Sequence, residues 1–309
     1  MHRLILPLAL AASLASLTSA QITSNWTGAV DQQWQNFVNW DNNTVPNNAG
    51  LNTYNAFLGG GSGLVFLNAN NTLESMTLQA GAALSISNGF TFTVRDSVIN
   101  GGEIRLEGNT SASRFSINDS SGDLAVQLSG SGTIVLDHPQ DRIGGITNHV
   151  LVHAAAHTIS GHGQLGTNSI NLVNHGAIAA DVTGEVLVVD PISSFQNDGG
   201  TLTASSGATA RFEPGNYGVA NSGRFIIGDG STFDLRGGTW SDLTLEIDDQ
   251  LAVDAEFSFD LSGWRAAGPN REILSDTGGV RTLRFYDTVA LGAGGRLFTR
   301  FRGDGNAEP

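Results

Sequence analysis

The segment Gly184-Glu185-Val186-Leu187-Val188-Val189-Asp190-Pro191 returns as Gly207-Ala208-Thr209-Ala210-Arg211-Phe212-Glu213-Pro214, and again from Gly230 through Phe233 and Leu235 to Gly237, at an interval of 23 residues both times. A second marker keeps step with it: Asn174-His175-Gly176, Asn197-Asp198-Gly199 and Asn221-Ser222-Gly223 follow one another at 23 and 24 residues. Two markers with one period define a repeat, and periods in this range belong to stacked units that bury their apolar side only against their neighbours. The chain is therefore read as a solenoid.

Each unit consists of short, often alternating apolar runs broken by Gly, Asn, Ser, Asp or Pro, with no 3.6-residue stripe. That is strand chemistry. The expected fold is all-β: a right-handed parallel β-helix with coils of about 23 residues, stacked at the ~4.8 Å spacing of neighbouring strands. Alternation places Leu187, Ala210 and Phe233 in one inward column and Val189, Phe212 and Leu235 in another. The Asn174, Asn197, Asn221 series and the Gly184, Gly207, Gly230 series mark corners. Asn and Gly tolerate left-handed backbone angles, and stacked Asn side chains can hydrogen-bond along the rod.

Met1-His2-Arg3, an apolar run over 4–14 and the small-residue end Thr18-Ser19-Ala20 read as a secretory signal over 1–20. No later stretch approaches the ~20 apolar residues of a membrane-spanning helix, so none is expected in the mature chain. The expected location is secreted or at the cell surface. The absence of Cys excludes a disulfide framework and thiolate metal sites. All 15 basic residues are Arg, against 29 acidic ones, and residues 21–262 hold 24 acidic residues against 7 Arg. Such a surface argues against nucleic acid as a partner. No cofactor is expected.

Residues 21–55 lack the period and hold Trp26, Trp34 and Trp40. They are expected to cap the first coil, with the tryptophans as hydrophobic fill; the alternative is an aromatic platform for sugar rings, a carbohydrate-binding module in its own right. The β-helix is expected over 56–262. Residues 263–309 are Arg- and Gly-rich and out of period, which reads as a C-terminal cap or a poorly ordered tail.

Six of the seven histidines lie between Asp137 and Gly176. His149, His153 and His157 fall four apart, a spacing that suits a metal on a helix; on a strand they are separated by ~13 Å steps and serve structure instead. The acidic groupings nearest to a catalytic arrangement are Asp248-Asp249 and the pair Asp190 and Glu213, which align in successive units. They carry the alternative of a polysaccharide lyase or hydrolase, whose chemistry needs clustered carboxylates.

Gly161-His162-Gly163-Gln164-Leu165-Gly166, Leu172-Val173-Asn174-His175-Gly176, Asn197-Asp198-Gly199-Gly200-Thr201-Leu202 and Asp229-Gly230-Ser231-Thr232-Phe233-Asp234-Leu235 resemble exported bacterial β-solenoid proteins. These are the autotransporter-passenger and filamentous-haemagglutinin types, including those with autotransporter-associated β-strand repeats. The start, with Trp26-Thr27-Gly28, Asn39-Trp40 and Val45-Pro46-Asn47, resembles proteins that carry a PEP-CTERM sorting tail, although 263–309 shows neither the tail's apolar helix nor a self-export barrel. The resemblance implies a secreted or surface-displayed structural, adhesin-like protein that presents a repetitive surface to polysaccharide, matrix or cells. It supplies no catalytic residues.

Overall fold

The computed structural model describes residues 20–48 and 52–220, followed by the segments 223–227, 231–235, 238–241, 245–247, 250–253, 257–260, 283–285 and 289–291. The signal reading, Asn221, Gly230, Asp248, Asp249 and most of 263–309 lie outside the described residues. The chain is a parallel β-solenoid with coils of roughly 23 residues, and it has no α-helix among the described residues.

Each coil contributes a strand to three sheets. In the middle of the rod the first sheet takes His149–His153, Ile170–Asn174, Ser194–Asp198 and Asn216–Ala220. The second takes the first half of Thr158–Leu165, then Ala177–Ala180, Thr201–Ala204 and Arg224–Ile227. The third takes the second half of Thr158–Leu165, then Val186–Val189, Thr209–Phe212 and Thr232–Leu235. Every strand pairing is parallel, as the connectivity requires: the chain goes once around the rod before meeting itself.

The expected inward columns are found in register. Leu187 pairs with Ala210 and Ala210 with Phe233, while Val189 pairs with Phe212 and Phe212 with Leu235. Leu187, Val189, Ala210, Phe212 and Phe233 are fully buried. Small and large residues alternate along this stack, and the Phe212 ring meets those of Tyr217, Phe225 and Phe233 edge-on at 5.5, 5.7 and 5.2 Å. That geometry adds a quadrupole term to the area buried.

The corners also follow the sequence. Gly184 and Gly207 both adopt positive φ, +76° and +75°. Gly161 is more tightly constrained: its φ is +106°, and a Cβ there would lie 2.0 Å from the carbonyl oxygen of Leu136 in the coil before. Gly161→Ala is therefore expected to destabilise the chain by at least about 1–2 kcal/mol, the cost of the backbone angle alone, read as a lower urea midpoint with the parallel-strand circular dichroism retained.

Both expected boundaries of the solenoid move outward. Ala20–Asn25 already pairs with Asn52–Leu58 in the first sheet. Gln33 bridges to Phe66 of the second sheet, and the Asn48 amide donates to the Thr72 carbonyl at the third, 2.7 Å away. Residues 20–48 thus form a coil of their own, whose period is hidden by the insertions between these contacts. At the other end Leu283–Phe285 and Val289–Leu291 pair with Gln250–Val253 and Phe257–Asp260, beyond the expected end at 262. A long intervening segment breaks the spacing there too.

Candidate functional site

Trp26, Trp34 and Trp40 form the interior of that first coil. Trp34 and Trp40 are 0% and 1% exposed, and Trp26 is 9% exposed. Trp40 meets Trp34 edge-on at 4.7 Å and Trp26 at 5.1 Å, and Trp34 reaches the ring of Phe92 at 6.0 Å. The Trp40 indole N–H donates to the Trp34 carbonyl, 2.9 Å away. The expectation of a sugar-stacking platform is thereby corrected: a solenoid end exposes apolar core, and the indoles fill it. Buried Asn39 ties the loop above, accepting from the Val30 and Asp31 amides at 3.0 and 3.2 Å and donating to the Asp31 carboxylate at 2.7 Å.

The histidines divide in the same informative way. His149, His153 and Leu151 between them point inward from one strand, but the two imidazoles are separated along it, and His149 Nδ1 lies 3.2 Å from the Ile146 carbonyl instead. His153 Nε2 and His157 Nδ1 are 3.0 Å apart, in direct hydrogen bond. Among the described residues, no three His, Cys, Asp or Glu side chains come together as metal ligands. The expected trio is therefore a pair and an outlier, because the turn after His153 brings His157 back while the strand holds His149 away.

The pair belongs to a buried polar chain that runs across several coils. Asn100 Oδ1 accepts from the Gly102 amide at 3.0 Å, and its Nδ2 donates to the Thr133 carbonyl at 3.0 Å, which fixes the amide's orientation. Asn100 Nδ2 also faces His157 Nε2 at 3.0 Å, so that nitrogen is the acceptor. His157 Nδ1–H then donates to His153 Nε2, and His153 Nδ1–H donates to Asn174 Oδ1 at 2.7 Å. Asn174 Nδ2 continues to Asn197 Oδ1 at 2.8 Å, and Asn197 Nδ2 to the Arg224 carbonyl at 2.9 Å. Every bond points one way, and the order requires both imidazoles neutral. Burial pushes the His153 imidazole down to about 4 and that of His157 to about 3, the latter also by its proximity to His153. The Asn-x-Gly marker signalled Asn174 and Asn197. Nothing in the sequence signalled that Asn100 joins them through two histidines.

Among the described residues, the outer surface holds a cleft with a volume of about 530 Å³. It lies over the third sheet and is lined by Gln164, Asn168, Val188, Asp190, Arg211 and Glu213, with Pro214. Asp190 and Glu213 follow directly on the paired residues Val189 and Phe212, so the repeat itself sets the two carboxyls side by side. Burial, and then the charge of Glu213, raise the Asp190 carboxyl above its ordinary range. Arg211 Nε donates to the Asp234 carboxylate at 2.9 Å, which holds the cation against the cleft wall.

The fold defines a β-solenoid with a polar chain inside it and a carboxyl-bearing cleft outside. No family model, curated protein or solved structure matches this chain.

Proposed function

We propose that the protein is a non-enzymatic, exported structural rod, secreted or held at the cell surface, that presents columns of outward side chains to polysaccharide, matrix or neighbouring cells. The observation that carries this reading is the register: parallel pairing repeats each outward position from coil to coil, so that one weak contact is multiplied along the rod without further folding cost. The resemblance of the repeat motifs to exported bacterial adhesin-like solenoids supports the same reading. The acidic composition favours uncharged or cationic partners.

A second reading rests on the cleft. Two adjacent carboxyls, one of them raised above its ordinary range by burial and by the charge of its neighbour, are the groups a glycoside hydrolase uses as acid and base. Binding of the full chain to a polysaccharide array, with reducing-end release followed on the same samples, separates the two. Binding without turnover, unchanged in Asp190→Asn and Glu213→Gln, is expected. Turnover that either substitution abolishes replaces the structural reading with the enzymatic one.

A further inference from the structure

Asp190-Pro191 is the sole Asp-Pro pair in the chain, and the structure places its carboxyl, half-buried, in the wall of the cleft. Among the described residues no hydrogen bond or ion pair engages that carboxyl. The Arg211 guanidinium nearby is turned to Asp234, 2.9 Å away. The other titratable groups that face Asp190 are Glu213 and the buried Tyr217 hydroxyl, which donates to the Val189 carbonyl at 3.2 Å and to that of Glu213. From the preceding coil come only the neutral Gln164 and Asn168.

The peptide bond itself is held from the preceding coil. Thr167 and Asn168 both adopt positive φ, +52° and +48°, and this turn aims the Asn168 amide at the Asp190 carbonyl oxygen, 2.7 Å away. That is the distance of a donor that stabilises an oxyanion. Gly166 lies against the same bond: a Cβ there would sit 2.3 Å from the Asp190 carbonyl oxygen, 2.7 Å from its carbon and 3.0 Å from the Pro191 nitrogen. The bare glycine fixes the peptide and leaves room for the carbonyl carbon to become tetrahedral. Burial, and then the Glu213 charge, keep a larger share of the Asp190 carboxyl protonated, and that proton is the one a leaving nitrogen requires.

We propose that the chain cleaves itself between Asp190 and Pro191. A side-chain oxygen of Asp190 bonds to the Asp190 carbonyl carbon and closes a five-membered ring, an intramolecular attack that replaces a bimolecular encounter. The carboxyl proton passes to the Pro191 nitrogen, which leaves as a secondary amine, more basic than the primary amine another residue would give. The C–N bond breaks, Pro191 becomes an amino terminus, and Asp190 is left as a cyclic anhydride. Water opens the anhydride to two carboxyls, so one water is consumed per bond cut. The rod stays whole, because parallel pairing crosses the cut on both sides, from Val189 to Phe212 and from Phe195 to Leu172. The cleft is the one on which the hydrolase reading rests, but this reaction needs no saccharide, and Pro191→Ala removes the leaving group while both carboxyls remain.

The test moves the full chain, without saccharide, from about pH 8, where the carboxyl is ionised, to about pH 5, and follows intact mass and amino-terminal sequence with time. A single cut with a new terminus at Pro191 is expected, at a rate independent of protein concentration and at least about tenfold above that of the same chain unfolded in urea. In oxygen-18 water the label should divide between the two Asp190 carboxyls, since water can open either side of the anhydride; a contaminating protease labels the main-chain carboxyl alone. Pro191→Ala and Asp190→Ala should lose the cut with the circular dichroism spectrum unchanged. Glu213→Gln should displace the pH profile downward without lowering its acid plateau. Glu213-Pro214, which would have to close a six-membered ring, should stay intact. A wild-type chain that remains whole, or that cuts no faster folded than unfolded, overturns the proposal. So does label confined to the main-chain carboxyl, and so does a cut that survives in Asp190→Ala.

Discussion

Lowering the pH from 6.5 to about 5 will lower the urea midpoint of the wild-type chain more than that of a His153→Gln/His157→Gln variant. In the folded chain both imidazoles are neutral, because each Nε2 accepts a hydrogen bond whose donor is fixed by its neighbours. Unfolding releases them to the ordinary value of 6.5, while the folded values are pushed down to about 4 and about 3. Between these limits the unfolded chain binds more protons than the folded one, so stability is complete above 6.5 and is lost as the pH falls. The drop from 6.5 to about 4 for His153 alone corresponds to about 3 kcal/mol at ~1.4 kcal/mol per unit.

The carboxylates act lower down or in the opposite sense. Asp119 is held down to about 2, through hydrogen bonds from Ser121, Gly122 and Leu124 that outweigh its burial, so its contribution disappears only below the ordinary carboxylate range. Asp141 and Asp190 are raised by burial, and their protonation relieves the fold as the pH falls. The double variant keeps the same carboxylates, so the difference between the two proteins isolates the imidazoles. Equal slopes in the two proteins would mean that the imidazoles are not held neutral by the buried chain. A direct readout is available in the wild-type protein: both rings should show the Nδ1–H tautomer in their nitrogen chemical shifts at neutral pH and should not titrate near 6.5.

The second large effect is expected at Trp34. It is fully buried between Trp40 and Phe92, and among the described residues the coil it fills stacks on the rod at one side. Trp34→Ala leaves a cavity against the rings of Trp40 and Phe92. The cost of such a truncation is about 3–5 kcal/mol. Because a solenoid is stabilised by nearest-neighbour contacts, the loss should remain local. Hydrogen exchange of the Phe66 and Thr72 amides, which hold the first coil to the next, should accelerate strongly, while exchange at Leu187 and Phe212 changes little. A uniform increase along the chain would show instead that the rod unfolds as one unit. Trp34→Phe, which keeps an aromatic fill, should recover most of the loss.

The architecture was legible because a solenoid writes its structure into sequence at short range. Leu187, Ala210 and Phe233 stack because their spacing equals one coil, and alternation alone decides that they point inward. The same logic exposed the buried, hydrogen-bonded asparagine column at Asn174 and Asn197 and brought Asp190 next to Glu213. Where insertions change the coil length the signal vanished. The coil formed by 20–48 and the strands Leu283–Phe285 and Val289–Leu291 carry no period that could be counted, yet they join the same sheets.

The sequence by itself determined the strand period, the inward columns and the corner residues, since each depends only on backbone geometry and the alternation of side chains. Tertiary structure alone decided what the singular residues do. Three tryptophans close together could stack on a ligand or on one another, and only the packing of the first coil turned them inward. Three histidines four apart could have shared a metal. A strand that separates His149 from His153 and a turn that folds His157 back made two of them links in a polar chain that ends at asparagines far away in sequence. Such long-range contacts are set by how coils stack, which no local spacing encodes.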